Sequence, residues 1–331
     1  MTDIRPAAVA GQFYRGDPAA LAEQIESCFL DEYGPGTVPD TGRETGPQSG
    51  KPDPQLGKSD PQLGKSDPQL GKSDPQSGQS DQQSVEPRAG RGRLLGLVVP
   101  HAGYPYSGPI AAHSYAALVR SRTPETAVIL GPNHRQVGAE IALSSHDAWE
   151  TPLGTLPIDN RLRGELLETA TIRIDDRAHG AEHAVEVQLP FLQYLDATPR
   201  ILPVAVATRD PSRCESLGQT IARVIAATGR DAVVIASTDL THYEPSEAAT
   251  AADEPVLDLL ADLDPAGLLE HVERTAHTMC GPGATAATLA AANRLGAESG
   301  TIYAYATSRD TAGTVGRTVG YAAVGIHGDD A

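Results

Sequence analysis

Lysine is all but missing from this chain. Its four lysines, Lys51, Lys58, Lys65 and Lys72, lie in one repeated segment, and every other basic side chain is arginine. The 26 basic residues face 43 acidic ones, giving a net charge of −17. Nucleic acids and anionic membranes are gripped through Lys and Arg, so this balance argues against both as partners. Acidic, lysine-poor surfaces are found in proteins of salt-loving organisms; high-GC codon usage with an incidental acidic bias is the other explanation. Aromatics are scarce too, at 4%, so Ala, Val, Leu and Ile must fill the core that 40% hydrophobic content allows. Cysteine is limited to Cys28, Cys214 and Cys280, an odd number, far apart and without a CxxC pair. That spacing argues against a disulfide framework and for a reducing, cytoplasmic setting. No apolar run reaches about 18 residues, so nothing reads as membrane-spanning. Residues 1–12 lack the basic and apolar stretches of a signal peptide.

What is present is an alternation of strand and helix patterns. A first helix is expected over 16–32, with Asp17 as N-cap, Pro18 at the first position, and Leu21, Ile25 and Phe29 on one face. From 35 to 92 the composition changes, and SerAspProGlnLeuGlyLys recurs every seven residues. Pro and Gly in each unit forbid a coiled coil, and one apolar residue per unit cannot offset ordering entropy, so this insert is expected to be disordered. Beyond it, strands are expected at 94–100, 126–131, 171–174, 200–207, 231–237, 301–307 and 319–326, with a hairpin within 139–158. Helices are expected at 108–120, 159–169, 181–195, 211–228, 246–261, 264–274 and 282–295. This order predicts an α/β fold: a single domain, residues 1–331, with one central mixed β-sheet between helical layers.

Three of the apolar runs end on histidine: 94–100 on His101, 127–133 on His134, and 232–241 on His242. Open α/β sheets bind ligands at the carboxyl ends of their strands, so three imidazoles delivered there suggest a metal or acid/base site. Tyr106 shares the loop of His101, and Asn133 precedes His134 in a Gly-Pro turn. Asp239, three residues before His242, is placed to fix that ring's tautomer or to cap the following helix. Cys280 precedes an Ala-rich helix, which favours thiolate character; a small packed residue at a helix start is the equal alternative. HisGlyAlaGluHis (179–183) fits the inverted zinc-protease pattern H-x-x-E-H, which needs a continuous helix. Gly180 argues against that, with a helix starting near Ala181 instead and Glu182 and His183 supporting the same site. Trp149 either walls a pocket or caps the core, and His113, His146, His271, His277 and His327 read as structural.

Seven segments in order resemble the Memo family, the Memo component of the AmmeMemoRadiSam group. They are ArgProAlaAlaValAlaGlyGlnPheTyr (5–14), ProHisAlaGlyTyrProTyrSerGly (100–108), LeuGlyProAsnHis (130–134), AspAlaTrpGluThrProLeuGly (147–154), GluHisAlaValGluValGlnLeuProPheLeu (182–192), SerThrAspLeuThrHisTyr (237–243) and CysGlyProGly (280–283). The resemblance spans the chain apart from the insert. It implies the fold of the class III extradiol dioxygenases. It also implies His101, His134 and Cys280 as ligands of an iron or copper ion, with His242 nearby and Asp239 behind it. A thiolate in place of the carboxylate of those enzymes points to redox chemistry rather than catechol cleavage. The ligand implied is a small molecule or a peptide, and the family association suggests a radical-SAM protein partner. Two other readings stay open: a non-catalytic peptide- or protein-binding module using the same pocket, and a hydrolase using His242 with Asp239 or the HisGlyAlaGluHis motif (179–183).

Overall fold

The computed structural model describes residues 2–40, 92–169 and 171–329. The heptapeptide repeat falls outside them, whereas residues 35–40 run irregularly, with Val38 against the core. The N-terminal strand β1 (Ile4–Arg5) and helix α1 (Pro18–Leu30) lead to β2 (Arg93–Val99), α2 (Tyr104–Ser121) and β3 (Thr126–Pro132). Next come β4 (Ile141–Leu143), β5 (Ala148–Thr151), β6 (Gly154–Pro157), α3 (Asn160–Leu167), β7 (Arg173–Ile174) and a short helix α4 (Leu189–Tyr194). The second half holds β8 (Arg200–Val206), α5 (Pro211–Thr228), β9 (Ala232–Ser237), β10 (His242–Glu244), α6 (Ser246–Ala261), α7 (Pro265–Thr275) and α8 (Pro282–Arg294). It closes with β11 (Ala297–Thr307), α9 (Ser308–Ala312) and β12 (Thr318–Gly328).

The large sheet has the order β10-β12-β2-β9-β3-β8-β4-β7, with β11 on β12. Its middle, β2-β9-β3-β8, is parallel, and β12 and β4 flank it antiparallel. Those central strands are buried on both faces, as their unbroken Val/Ile/Leu runs require. Helix α8 packs on β2, β3 and β9 with α5 against it, and α2 packs on β2 and β12 with α1 against it. β5, β6 and β1 form a separate three-stranded sheet. Among the described residues no helix is long and apolar enough to cross a membrane.

The expected α/β fold, a mixed sheet flanked by helices, is present; β1, β10 and α9 are not among the expected elements, and two of the expected helices depart from their predicted course. Helix α2 starts four residues early, because Pro105 suits a first turn and the Tyr104 N–H donates to the Phe13 carbonyl. The helix expected over 181–195 is instead a chain of turns, with a 3-10 turn at Glu186–Gln188 and α4 only from Leu189. The Glu182 carboxylate takes the N–H groups of His183 and Ala184, and Pro190 has none to give. The continuous helix that H-x-x-E-H needs is therefore absent. His179 lies beside Trp149, whereas His183 stacks on His134.

Candidate metal centre

Register brings the site together. β9 lies between β2 and β3, with Val99 opposite Ser237 and Leu130 opposite Ala236. The residues just beyond these strand ends, His101, His134 and Asp239, therefore converge on one edge. Cys280 joins them from the loop before α8. That helix is held in place by Gly283, where any side chain would collide with the Thr208 carbonyl. The ligand atoms of His101, His134 and Cys280 lie within 4.8 Å of one another.

Hydrogen bonding fixes which nitrogen each imidazole offers. The Ser237 hydroxyl donates to the Ala184 carbonyl at 2.6 Å, so its oxygen must accept from His101 Nδ1 at 2.9 Å. The proton therefore sits on Nδ1, and Nε2 faces Cys280 Sγ at 3.2 Å. His134 Nδ1 likewise donates to Glu182 Oε1 at 2.9 Å, leaving its Nε2 lone pair free. Burial, helped by neighbouring His134, lowers the His101 pKa to about 3 and keeps it neutral.

Glu182 is the hub behind the histidines. Besides the His134 ring it accepts the N–H groups of His134, His183 and Ala184 at 2.8, 2.8 and 3.0 Å. Burial alone would raise its pKa; the hydrogen bond from the His134 ring, with the Ala184 N–H, holds it at about 2. His134, Glu182 and His183 also cluster tightly. With the carboxylate occupied by these donors and the His134 proton on Nδ1, that trio is a hydrogen-bond cluster, not a second cation site. His183 stacks on His134 at 4.7 Å and packs against Phe13 at 4.3 Å. Its pKa falls to about 4, through burial and the proximity of His101.

Asp239 does not orient His242 as the sequence suggested. Its Oδ1 accepts the His101 N–H at 2.7 Å, while His242 Nδ1 pairs with the Leu240 carbonyl at 2.7 Å. The Asp239 backbone instead clamps Cys280, donating N–H to Sγ at 3.1 Å and accepting the Cys280 N–H at 3.3 Å. The expected thiolate character of Cys280 is corrected as well: burial and the Asp239 charge push its thiol up. Cys280 precedes the Gly281 N-cap, so desolvation outweighs the helix field.

A cavity of about 690 Å3 opens onto these groups and is lined by His101, His134, His183, His242, Cys280 and Tyr106, among others. Asn133 lies on a second cavity, of about 650 Å3, that also reaches His134 and Cys280; its Nδ2 donates to the Val137 carbonyl at 2.7 Å. Trp149 lines neither cavity. It is buried under the Arg5 guanidinium, 4.0 Å from its ring, and so belongs to the core.

Sequence reasoning missed two supports. Arg5 and Glu186, 2% and 0% exposed, form a 2.7 Å ion pair. Arg5 also donates to the carbonyls of His179 and Glu182, while Glu186 accepts from Ala8, Val9 and the Tyr14 hydroxyl. The second is Asp253, buried beneath the site, whose Oδ1 lies 3.0 Å from Nε2 of His277, a residue whose structural reading this contact fits. The unbroken motifs at 5–14 and 182–192 were the available signal for the first; nothing local marked the second.

Residues 78–325 match the family described as Memo-like protein. A MEMO1 family protein of Methanopyrus kandleri is 41% identical over 322 residues, covering 97% of this chain and 98% of its own. One from Methanothermobacter thermautotrophicus is 39% identical over 320 residues, covering 96% and 99%. The crystal structure of an uncharacterized Escherichia coli K12 protein superposes with a TM-score of 0.51 at 16% identity, over 71% of this chain and 100% of that one, which shows a shared fold. With the sheet, the converging histidines and the matched motifs in place, the chain belongs to the Memo-like protein family.

Proposed function

We propose that this protein binds an iron or copper ion through His101 Nε2, His134 Nε2 and Cys280 Sγ, and carries out redox or oxygen-related chemistry on a small molecule in the 690 Å3 cavity. The carrying observation is the hydrogen bonding behind the donors. Both Nδ1 protons are spent on fixed acceptors, Ser237 and Glu182, so both Nε2 lone pairs are presented beside a thiol. Donor atoms within 4.8 Å of one another suit an ion whose bonds are about 2.0–2.3 Å long. Imidazoles with a thiolate suit iron or copper rather than a hard cation. When bound, such an ion supplies electron transfer and a positive centre for oxygen ligands.

The chain's own groups do the rest. His242 lines the cavity with Nδ1–H spent on Leu240, so its Nε2 is the proton acceptor. Asp239 holds His101 and Cys280 in mutual register. The three cysteines are free thiols, which fits a reducing cytoplasm. Elemental analysis after anaerobic purification tests the reading, alongside His101→Ala and Cys280→Ser. Near-stoichiometric iron or copper, lost in both variants, is expected; no metal after reconstitution, or zinc alone, overturns it. One observation favours a second reading, a binding module without turnover: Tyr106 and Tyr243, 46% and 65% exposed, stand at the cavity rim. Metal-independent capture of a peptide, with no oxygen consumption, would select it.

A further inference from the structure

The cavity above the three donors has an unusual lining for this chain. Aromatics make up 4% of the sequence, yet Phe13, Tyr106, Tyr243 and Tyr321 all border it. Tyr243 is held there at φ 65°, a left-handed conformation that costs a bulky residue energy. Charge is as uneven. The chain has 43 acidic residues, but Asp239 is the only carboxylate in the lining, and it is buried with Oδ1 taken by the His101 N–H. The only guanidinium there is Arg317. Arg93, Arg122 and Arg213 are each paired with a carboxylate. Arg317 is exposed and has no hydrogen-bond or ion-pair partner among the described residues. It ends the loop between α9 and β12, which the Ser308 carbonyl and hydroxyl tie down through the N–H groups of Thr314 and Val319.

We infer that this cavity takes a small organic monoanion with a flat apolar body, its carboxylate on Arg317 and its body among the four rings. One unpaired guanidinium matches one carboxylate in a paired hydrogen bond, and a dianion would leave charge uncompensated in so acidic a protein. Rings favour a flat body by offset and edge contacts. The assignment of the ligand's inner end to His101, His134 and Cys280 rests on the metal reading above; the anion site on Arg317 does not.

Benzoate and its neutral analogue benzamide, titrated calorimetrically into metal-loaded and chelator-treated protein, separate the two. Benzoate should bind about tenfold more tightly than benzamide, with the advantage shrinking at high salt. Arg317→Gln should remove that advantage, weakening benzoate far more than benzamide, and Arg317→Lys should keep part of it. Equal binding of the two probes, no binding of either, or an advantage that survives Arg317→Gln overturns the inference. Because the comparison is also made on chelated protein, a failed metal reading leaves it standing and is recognised separately.

Discussion

Glu182 Oε1 stands 2.9 Å from His134 Nδ1 while Oε2 accepts the His134 N–H at 2.8 Å, so one carboxylate grips both ring and backbone of a proposed ligand. Two further N–H groups, from His183 and Ala184, pin the carboxylate itself. The imidazole is thus aimed before any ion arrives, and the ordering cost falls on folding rather than on binding.

Glu182→Gln tests that aim. The amide keeps the shape but sets an NH2 against donors, so at least one buried N–H loses its acceptor. Metal affinity is expected to fall by about 10- to 100-fold. Stability of the metal-free protein is expected to fall by about 1–3 kcal/mol. Competition against a chelator of known affinity reads the first and urea unfolding the second. Unchanged affinity would mean that His134 needs no such support.

Much of this site was legible from the sequence because its carriers are strand ends. Two-sided apolar runs into His101 and His134 could only be buried strands, and sheet register then did the gathering. The stretch 181–195 was misread for the opposite reason. Its apolar spacing at Val185, Leu189 and Leu192 is helical, yet side-chain capture of N–H groups by Glu182 breaks the turn, and hydrophobic period carries no trace of that. The Asp239 carboxylate failed similarly: it lies three residues from His242 in sequence but reaches across the sheet to the His101 N–H. Arg5 and Glu186 meet over a separation of 181 residues, which only the folded chain reveals.

Arg5→Ala should destabilise the protein by about 3–5 kcal/mol, because it strands the fully buried Glu186 carboxylate without its cation. Arg5→Lys should recover only part of this, since an ammonium cannot reach Glu186, His179 and Glu182 together. Equilibrium denaturation of the three proteins measures the order, and equal stability of wild type and Arg5→Ala would refute it.

Acid should weaken the metal-free protein well before its carboxylates titrate. Burial, then Arg5, lowers the His179 pKa from 6.5 to about 4. Between those values the unfolded chain binds a proton that the native chain refuses, so stability is complete above pH 6.5 and lost as pH falls toward 4. The slope is about 1.4 kcal/mol per pH unit for each such group. His101 and His183, at about 3 and about 4, act in the same direction. In His179→Gln the amide can still donate to the Ala142 carbonyl, and the slope should flatten by one proton. Urea unfolding across this pH window on chelated protein measures it; an identical slope in the variant would contradict the assignment.

Asp253 should govern the site without touching it. Its Oδ1 accepts the Thr241 N–H at 2.9 Å and pairs with His277 Nε2 at 3.0 Å, and its Oδ2 accepts the Tyr305 hydroxyl at 2.7 Å. His277 Nδ1 accepts the Met279 N–H at 3.1 Å, so the ring's proton is on Nε2 and points at the carboxylate or at Thr241. One buried acid therefore ties the residue before His242 to the segment that leads into Cys280. The His242 N–H, donated to Thr278 Oγ1 at 2.7 Å, stitches the two segments again. Asp253→Ala leaves these donors unpaired, at about 1–3 kcal/mol each, and lets both segments drift. Metal affinity should fall about tenfold, with a shifted thiolate-to-metal absorption band. Asp253→Asn retains a carbonyl oxygen for Thr241 and His277 and should restore most of both. If the alanine variant loses stability but keeps the wild-type affinity and band, Asp253 serves the fold alone.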